Sequence, residues 1–190
     1  MDQRPHALVT GASSGIGAAI VEQLLRDGWR VTGISRRLAT FDHPAFDHLS
    51  LDLDDVDSIA DALAGFTPTA LVHAAGLLKV GALGSLDHDD GAAMWRLHVD
   101  VAGRLANALA PRLPNGGRIV FIGSRTASGA AGRGQYAATK TGVAVFTNGR
   151  LDRFIETPVV VQQICKDTEM IPFPELQRMG ARTGTGAPMR

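Results

Sequence analysis

Eight residues, Thr10-Gly11-Ala12-Ser13-Ser14-Gly15-Ile16-Gly17, constrain this chain more than any other segment. They lie between a short apolar run at 6–10 and an amphipathic stretch at 16–26, so the turn joins a strand to a helix. Glycine lacks a Cβ and tolerates positive φ, which lets the backbone pass close to another group. A turn of this kind at the start of a helix also aims free N–H groups outward, where they can hold a phosphate. The same glycines would serve plain close packing of helix on strand, and the position of the turn in the fold decides between the two readings.

The rest of the chain repeats that junction. Apolar runs at 30–35, 48–51, 70–73, 118–122 and 158–164 read as strands, and the stretches 57–66, 89–109 and 135–150 as helices. In the first helix Ile16, Ala19, Ile20 and Leu24 form the expected apolar face, and Gly28 closes it; Pro111 and Pro114 close the long third one. Strands that are continuously apolar and separated by helices call for a parallel sheet covered on both faces. The expected fold is therefore α/β: a single doubly wound Rossmann-type domain, about six parallel strands flanked by helices, over residues 1–170. Residues 171–190 read as a short C-terminal tail, and its end, Gly180 to Arg190, is rich in Gly, Thr and Arg and is expected to be flexible.

Charge and cysteine content narrow the function classes. Nineteen basic residues balance nineteen acidic ones, which removes the electrostatic case for nucleic acid or an anionic membrane as partner. No apolar run has the length of a membrane span and no leader opens the chain, so a cytoplasmic protein is expected. The single cysteine, Cys165, allows no internal disulfide and is compatible with a reducing compartment, and no metal site is assigned.

The turn resembles that of the short-chain dehydrogenase/reductase family, whose pattern T-G-x-x-x-G-x-G is matched by Thr10, Gly11, Gly15 and Gly17. The resemblance implies a nicotinamide dinucleotide held by Gly11, Ser13, Ser14, Gly15, Ile16 and Gly17. The second strand ends Ser35-Arg36-Arg37, with no acid to repel a 2′-phosphate and two guanidiniums that suit one, so NADP(H) is expected rather than NAD(H). Asp52, followed by Leu53, matches the family position that contacts the adenine; it fits equally an acid leading into the next helix. His73-Ala74-Ala75-Gly76 resembles the family's N-A-A-G, with Ala74, Ala75 and Gly76 passing the cofactor and His73 given no chemistry.

Tyr136 and Lys140 are spaced i and i+4, which on a helix puts phenol and ammonium on one face. A cation beside a phenol favours its ionised form, which suits Tyr136 to general acid–base work on a carbonyl or alcohol. Ser124, twelve residues earlier at a strand end, matches the family serine that polarises the substrate oxygen, and Ser128 in the following loop is the rival. The resemblance also gives Lys140 the nicotinamide ribose. A family N-x-x-G pattern, whose Asn holds a water that relays protons to the lysine, falls on Asp100-Val101-Ala102-Gly103; Asp100 then becomes the fourth catalytic member, able to pair with Lys140, and His98 a packing residue.

Beyond Lys140 the likeness thins. Thr168 takes the place of the threonine that contacts the carboxamide, and residues after Met170 leave little room for the substrate-covering segment that family members carry. Two functions follow from these residues. One is an NADP(H)-dependent oxidoreductase moving a hydride to or from a small or medium carbonyl or alcohol; the other is a dinucleotide-binding sensor or scaffold with little or no turnover. Ala-rich helix faces at 89–109 and 135–150 point to a homodimer or homotetramer.

Overall fold

The computed structural model describes residues 3–148 and 160–164. It contains one parallel sheet of six strands in the order β3-β2-β1-β4-β5-β6. The strands are β1 (His6–Thr10), β2 (Arg30–Ser35), β3 (Phe46–Ser50), β4 (Ala70–His73), β5 (Arg118–Ile122) and β6 (Val160–Ile164). The doubly wound, six-stranded expectation holds. The sequence order reverses between β1 and β4, so the chain leaves their C-terminal ends in opposite directions and opens a crevice there.

Side chains alternate across the sheet and feed two cores. Leu8, Leu71, Ile119 and Phe121 point to one face, where Val101, Leu105 and Leu109 cover them. Ala7, Val9, Ala70, Val72 and Val120 point to the other, against Val21, Leu24 and Leu25. The bulkier strand residues thus meet one helix layer and the smaller ones the other.

The helix that packs on the smaller strand residues is α1 (Gly15–Arg26). Its buried stripe is Gly17, Val21, Leu24 and Leu25, so the apolar face is rotated from the expected one. Ile16 and Ala19 stay outside because Gly17, lacking a side chain, is the residue that docks. Gly28, with φ of +81°, follows the helix and turns the chain into β2. The second helix, α2 (Ser58–Ala62), is shorter than expected, and β3 begins earlier, at Phe46.

The long helix expected at 89–109 is not continuous. It comprises α3 (His88–Trp95), a π-helical turn at Arg96–Asp100, and α4 (Val101–Leu109). Asp87 caps α3, accepting from the N–H groups of Asp89 and Asp90. A π-turn adds a residue to one turn, so every side chain after it is displaced from α-helical phase, with consequences for the site. The last described helix is α5 (Gly134–Asn148), and a short 3-10 turn, Arg125–Ser128, precedes it. Among the described residues no helix is long and apolar enough to cross a membrane.

Candidate active site

The glycine turn sits at the crevice. Gly11 has φ of +70° and donates its N–H to the Ile34 carbonyl at 2.9 Å. A Cβ on Gly11 would lie 2.8 Å from the Ala75 nitrogen, so the backbone after β1 touches the backbone after β4. A Cβ on Gly17 would collide with the Gly11 carbonyl oxygen. Glycine is therefore required here both by the crevice and by helix docking. Ser14 stands at the N-cap of α1 but makes no side-chain cap bond, and Ser14, Gly15 and Ile16 are exposed while Ser13 is half-buried. The first N–H groups of the helix thus face the crevice uncapped, an arrangement that fits a pyrophosphate.

At the end of β2, the Ser35 hydroxyl donates to the Arg37 carbonyl at 2.7 Å and so shapes the turn from within. Arg36 and Arg37 are exposed, and Arg37 Nη2 lies 3.4 Å from Ser14 Oγ, leaning over the glycine turn. Asp52 is exposed and accepts from the Asp54 N–H at 3.1 Å; it stands well before α2, so it does not open that helix. Leu53 lies in the core, 6% exposed, so its side chain is withheld from any ligand.

Thr10 and His73, at the ends of β1 and β4, join in a buried hydrogen-bond network. Thr10 is fully buried, and its Oγ1 accepts from the Ala75 N–H at 3.1 Å. Its hydroxyl meets His73 Nδ1 at 2.8 Å, while His73 Nε2 meets the Leu97 carbonyl at 3.0 Å. A carbonyl only accepts, so His73 carries its hydrogen on Nε2 and receives the Thr10 hydrogen at Nδ1. Burial, and then the Lys140 charge, hold His73 down at about 4 against the Leu97 bond that favours its cation. It is a neutral brace for the Ala74-Ala75-Gly76 passage.

Tyr136 and Lys140 project together from α5, as their spacing requires. Lys140 is 6% exposed, its Nζ 5.7 Å from the centre of the Tyr136 ring and 3.0 Å from the Ile122 carbonyl, to which it donates. The ammonium is thus tethered to the end of β5 and held beside the phenol. Ser124, also at the end of β5, accepts from the Thr126 N–H at 3.2 Å and shares a hydrogen bond with the Thr126 hydroxyl at 2.8 Å. Ser128 is exposed and donates to the Arg125 carbonyl at 3.0 Å. Strand-end anchoring therefore favours Ser124.

Asp100 does not join them. Both of its carboxylate oxygens take the Arg104 Nε at 3.2 Å, and its side chain is 43% exposed. The expected pairing with Lys140 is not formed, because the π-turn carries Asp100 outward and His98 inward. His98 is 1% exposed, edge-on to Tyr136 with ring centres 5.6 Å apart. A Cβ on Gly76 would lie 3.2 Å from His98 Nε2 and 3.9 Å from Lys140 Nζ, which puts both groups at one point under the passage. Burial first, and Lys140 second, push His98 down to about 3. In the sequence His98 stands out only as a polar residue between Leu97 and Val99, without a helix phase to say where it points.

Thr168 lies outside the described residues, as does the 171–190 tail. Among the described residues no three His, Cys, Asp or Glu side chains gather as a metal site.

A doubly wound parallel sheet with a glycine turn at its switch point is the frame of dinucleotide-binding proteins. Over residues 5–170 the sequence matches the short chain dehydrogenase family. It is 33% identical over 174 residues to an uncharacterized short-chain type dehydrogenase/reductase, y4eK, of Sinorhizobium fredii, covering 86% of this chain and 69% of that one. It is 30% identical over 193 residues to the 3-oxoacyl-[acyl-carrier-protein] reductase FabG of Pseudomonas aeruginosa, covering 90% of this chain and 78% of that one. A short-chain dehydrogenase from Streptomyces avermitilis is similar with a TM-score of 0.76 at 30% identity, over 86% of this chain and 65% of that one. One from Burkholderia cenocepacia, solved in complex with NADP, has a TM-score of 0.78 at 26% identity, over 87% of this chain and 73% of that one.

The chain belongs to the short-chain dehydrogenase/reductase family, whose members are in general oxidoreductases acting on CH–OH and C=O groups and binding a nicotinamide cofactor.

Proposed function

We propose that this protein is an NADP(H)-dependent oxidoreductase interconverting a carbonyl and an alcohol on a small or medium organic substrate. The observation that carries this reading is the buried Lys140 ammonium tethered beside Tyr136, at the strand ends next to the crevice. In this reading the glycine turn and the first N–H groups of α1 hold the pyrophosphate. Arg36 and Arg37 take the 2′-phosphate, Asp52 the adenine, the Ala74-Ala75-Gly76 backbone the middle of the dinucleotide, and Lys140 the nicotinamide ribose. Thr168 is assigned to the carboxamide. When bound, the nicotinamide supplies or accepts the hydride.

The protein's own groups handle the oxygen. Tyr136 gives its hydroxyl proton to the carbonyl oxygen during reduction and takes it back during oxidation. Lys140 stabilises the phenolate that this leaves. The Thr126 N–H fixes the position of Ser124 Oγ, and with the Thr126 hydroxyl as donor in the bond the two side chains share, the serine hydrogen is left for the substrate oxygen.

Several curated relatives are 3-oxoacyl-[acyl-carrier-protein] reductases, so the first substrates to offer are 3-oxoacyl thioesters, beside simple ketones and aldehydes. NADPH consumption with at least one of them is expected, and Tyr136→Phe should lower kcat by about 100-fold or more while NADPH binding stays within about twofold. NADPH binding with no turnover across the panel would transfer the conclusion to the sensor or scaffold. The present engagement of Ser124 with Thr126 is the one observation that favours that second reading.

A further inference from the structure

Beneath the Tyr136–Lys140 pair runs a chain of hydrogen bonds with only one consistent arrangement of hydrogens. Leu77 N–H donates to His98 Nε2 at 3.2 Å, so Nε2 holds the lone pair and the ring hydrogen sits on Nδ1. Nδ1 faces Thr139 Oγ1 at 2.8 Å. The one hydroxyl hydrogen of Thr139 goes to the Tyr136 carbonyl at 2.8 Å, so Thr139 Oγ1 must accept from the His98 Nδ1–H. The loop after β4, the π-turn and the first turns of α5 are joined in a single direction.

His98 reaches the same tyrosine a second way, by the edge-to-face contact of the two rings at 85°. A second proton on the imidazole would point at the Leu77 N–H and stand beside the Lys140 ammonium. The ring is therefore confined to one tautomer and one charge. His73 holds the opposite tautomer, with its hydrogen on Nε2 facing the Leu97 carbonyl of the same π-turn.

We propose that His98 is a positioning residue for the Tyr136–Lys140 pair: as a neutral Nδ1–H imidazole it locks the catalytic turn of α5, through Thr139, onto the π-turn and the loop after β4. This role rests on the reductase reading of the pair. Its distinguishing feature is the donor at Nδ1, not the volume of the ring.

Two variants separate the bonds. His98→Asn keeps an N–H donor near the Nδ1 place and gives up the acceptor for Leu77. His98→Gln keeps an acceptor that reaches Leu77 and gives up the donor to Thr139, although Gln is closer to His in size. Positioning through Thr139 predicts that His98→Gln and Thr139→Val each lower kcat about tenfold or more, with the NADPH dissociation constant within about twofold. His98→Asn should retain clearly more kcat than His98→Gln, and the His98→Gln, Thr139→Val double variant should be no worse than the poorer single one. A role in filling space would give the reverse order, Gln above Asn. That order, or kcat within twofold of the parent for His98→Gln, overturns the proposal.

Two readouts do not require turnover. Histidine 15N spectra of the full chain should show His98 as the neutral Nδ1–H tautomer from pH 8 to pH 5, assigned by its loss in both variants; the Nε2–H form or an imidazolium at pH 6 overturns it. Tyr136 is the only tyrosine, so its ring gives one set of signals. These should shift in His98→Gln and Thr139→Val and shift less in His98→Asn; equal shifts in both histidine variants overturn it. Should the parent protein bind NADPH but reduce nothing, the reductase reading has failed, and the tautomer and ring signals still decide the role of His98.

Discussion

Arg37 illustrates what a single side chain contributes here. Its guanidinium leans over the glycine turn toward Ser14, and its own carbonyl is gripped by the Ser35 hydroxyl, so the backbone at the strand end is set before any ligand arrives. A phosphate placed there would meet a fork-shaped cation already in position. Replacing Arg37 by Ala should weaken NADPH binding about tenfold or more, with Arg36→Ala a smaller loss and NADH little changed. Affinities for both cofactors measured by nicotinamide fluorescence check this; an unchanged NADPH/NADH ratio in the double Ala variant removes the two arginines from the cofactor choice. The two arginines were legible because they end an apolar strand, whereas nothing local in Asp52-Leu53 says that Leu53 turns into the core.

At the scale of elements, the π-turn is the unit that matters. Two neutral histidines tie it to the end of β4 and the loop after it: His73 donates to the Leu97 carbonyl, and the turn's own His98 accepts from the Leu77 N–H. The groups facing them are Thr10, Phe121 and Lys140 for His73, and Thr139, Tyr136, Lys140 and His73 itself for His98. Both are lowered from 6.5, to about 4 and about 3, so below about pH 6.5 the unfolded chain binds protons that the folded chain refuses. Their contribution is complete above that value and is lost as pH falls toward the folded values. Stability should drop by on the order of 3 kcal/mol between pH 7 and pH 5 for the two together. Urea unfolding followed by circular dichroism checks it: the midpoint should fall over that range, less so in His73→Gln, and a flat midpoint would refute the neutral state of the two histidines.

For the molecule as a whole, the face made by α3, the π-turn and α5 is the expected contact between copies of this chain. Trp95 is 51% exposed there, and a Cβ on Gly142 would lie 3.3 Å from Val99 Cγ2 and 3.7 Å from the Trp95 ring, so small residues keep the two helices close and leave the indole outside. We expect a homodimer or homotetramer by light scattering at micromolar concentration, shifted toward monomer by Trp95→Lys; a monomeric parent protein contradicts it. The alternation of strands and helices, the glycine turn and the Tyr136–Lys140 pair were all determined by the sequence itself, because each depends on residues close together in the chain. Tertiary structure alone decided the strand order, the rotated face of α1, the π-turn, and the exchange of Asp100 for His98 beside the lysine. The reason is physical: these rest on contacts such as Thr10 with His73, 63 residues apart, and His98 with Thr139, 41 apart, which no local period announces.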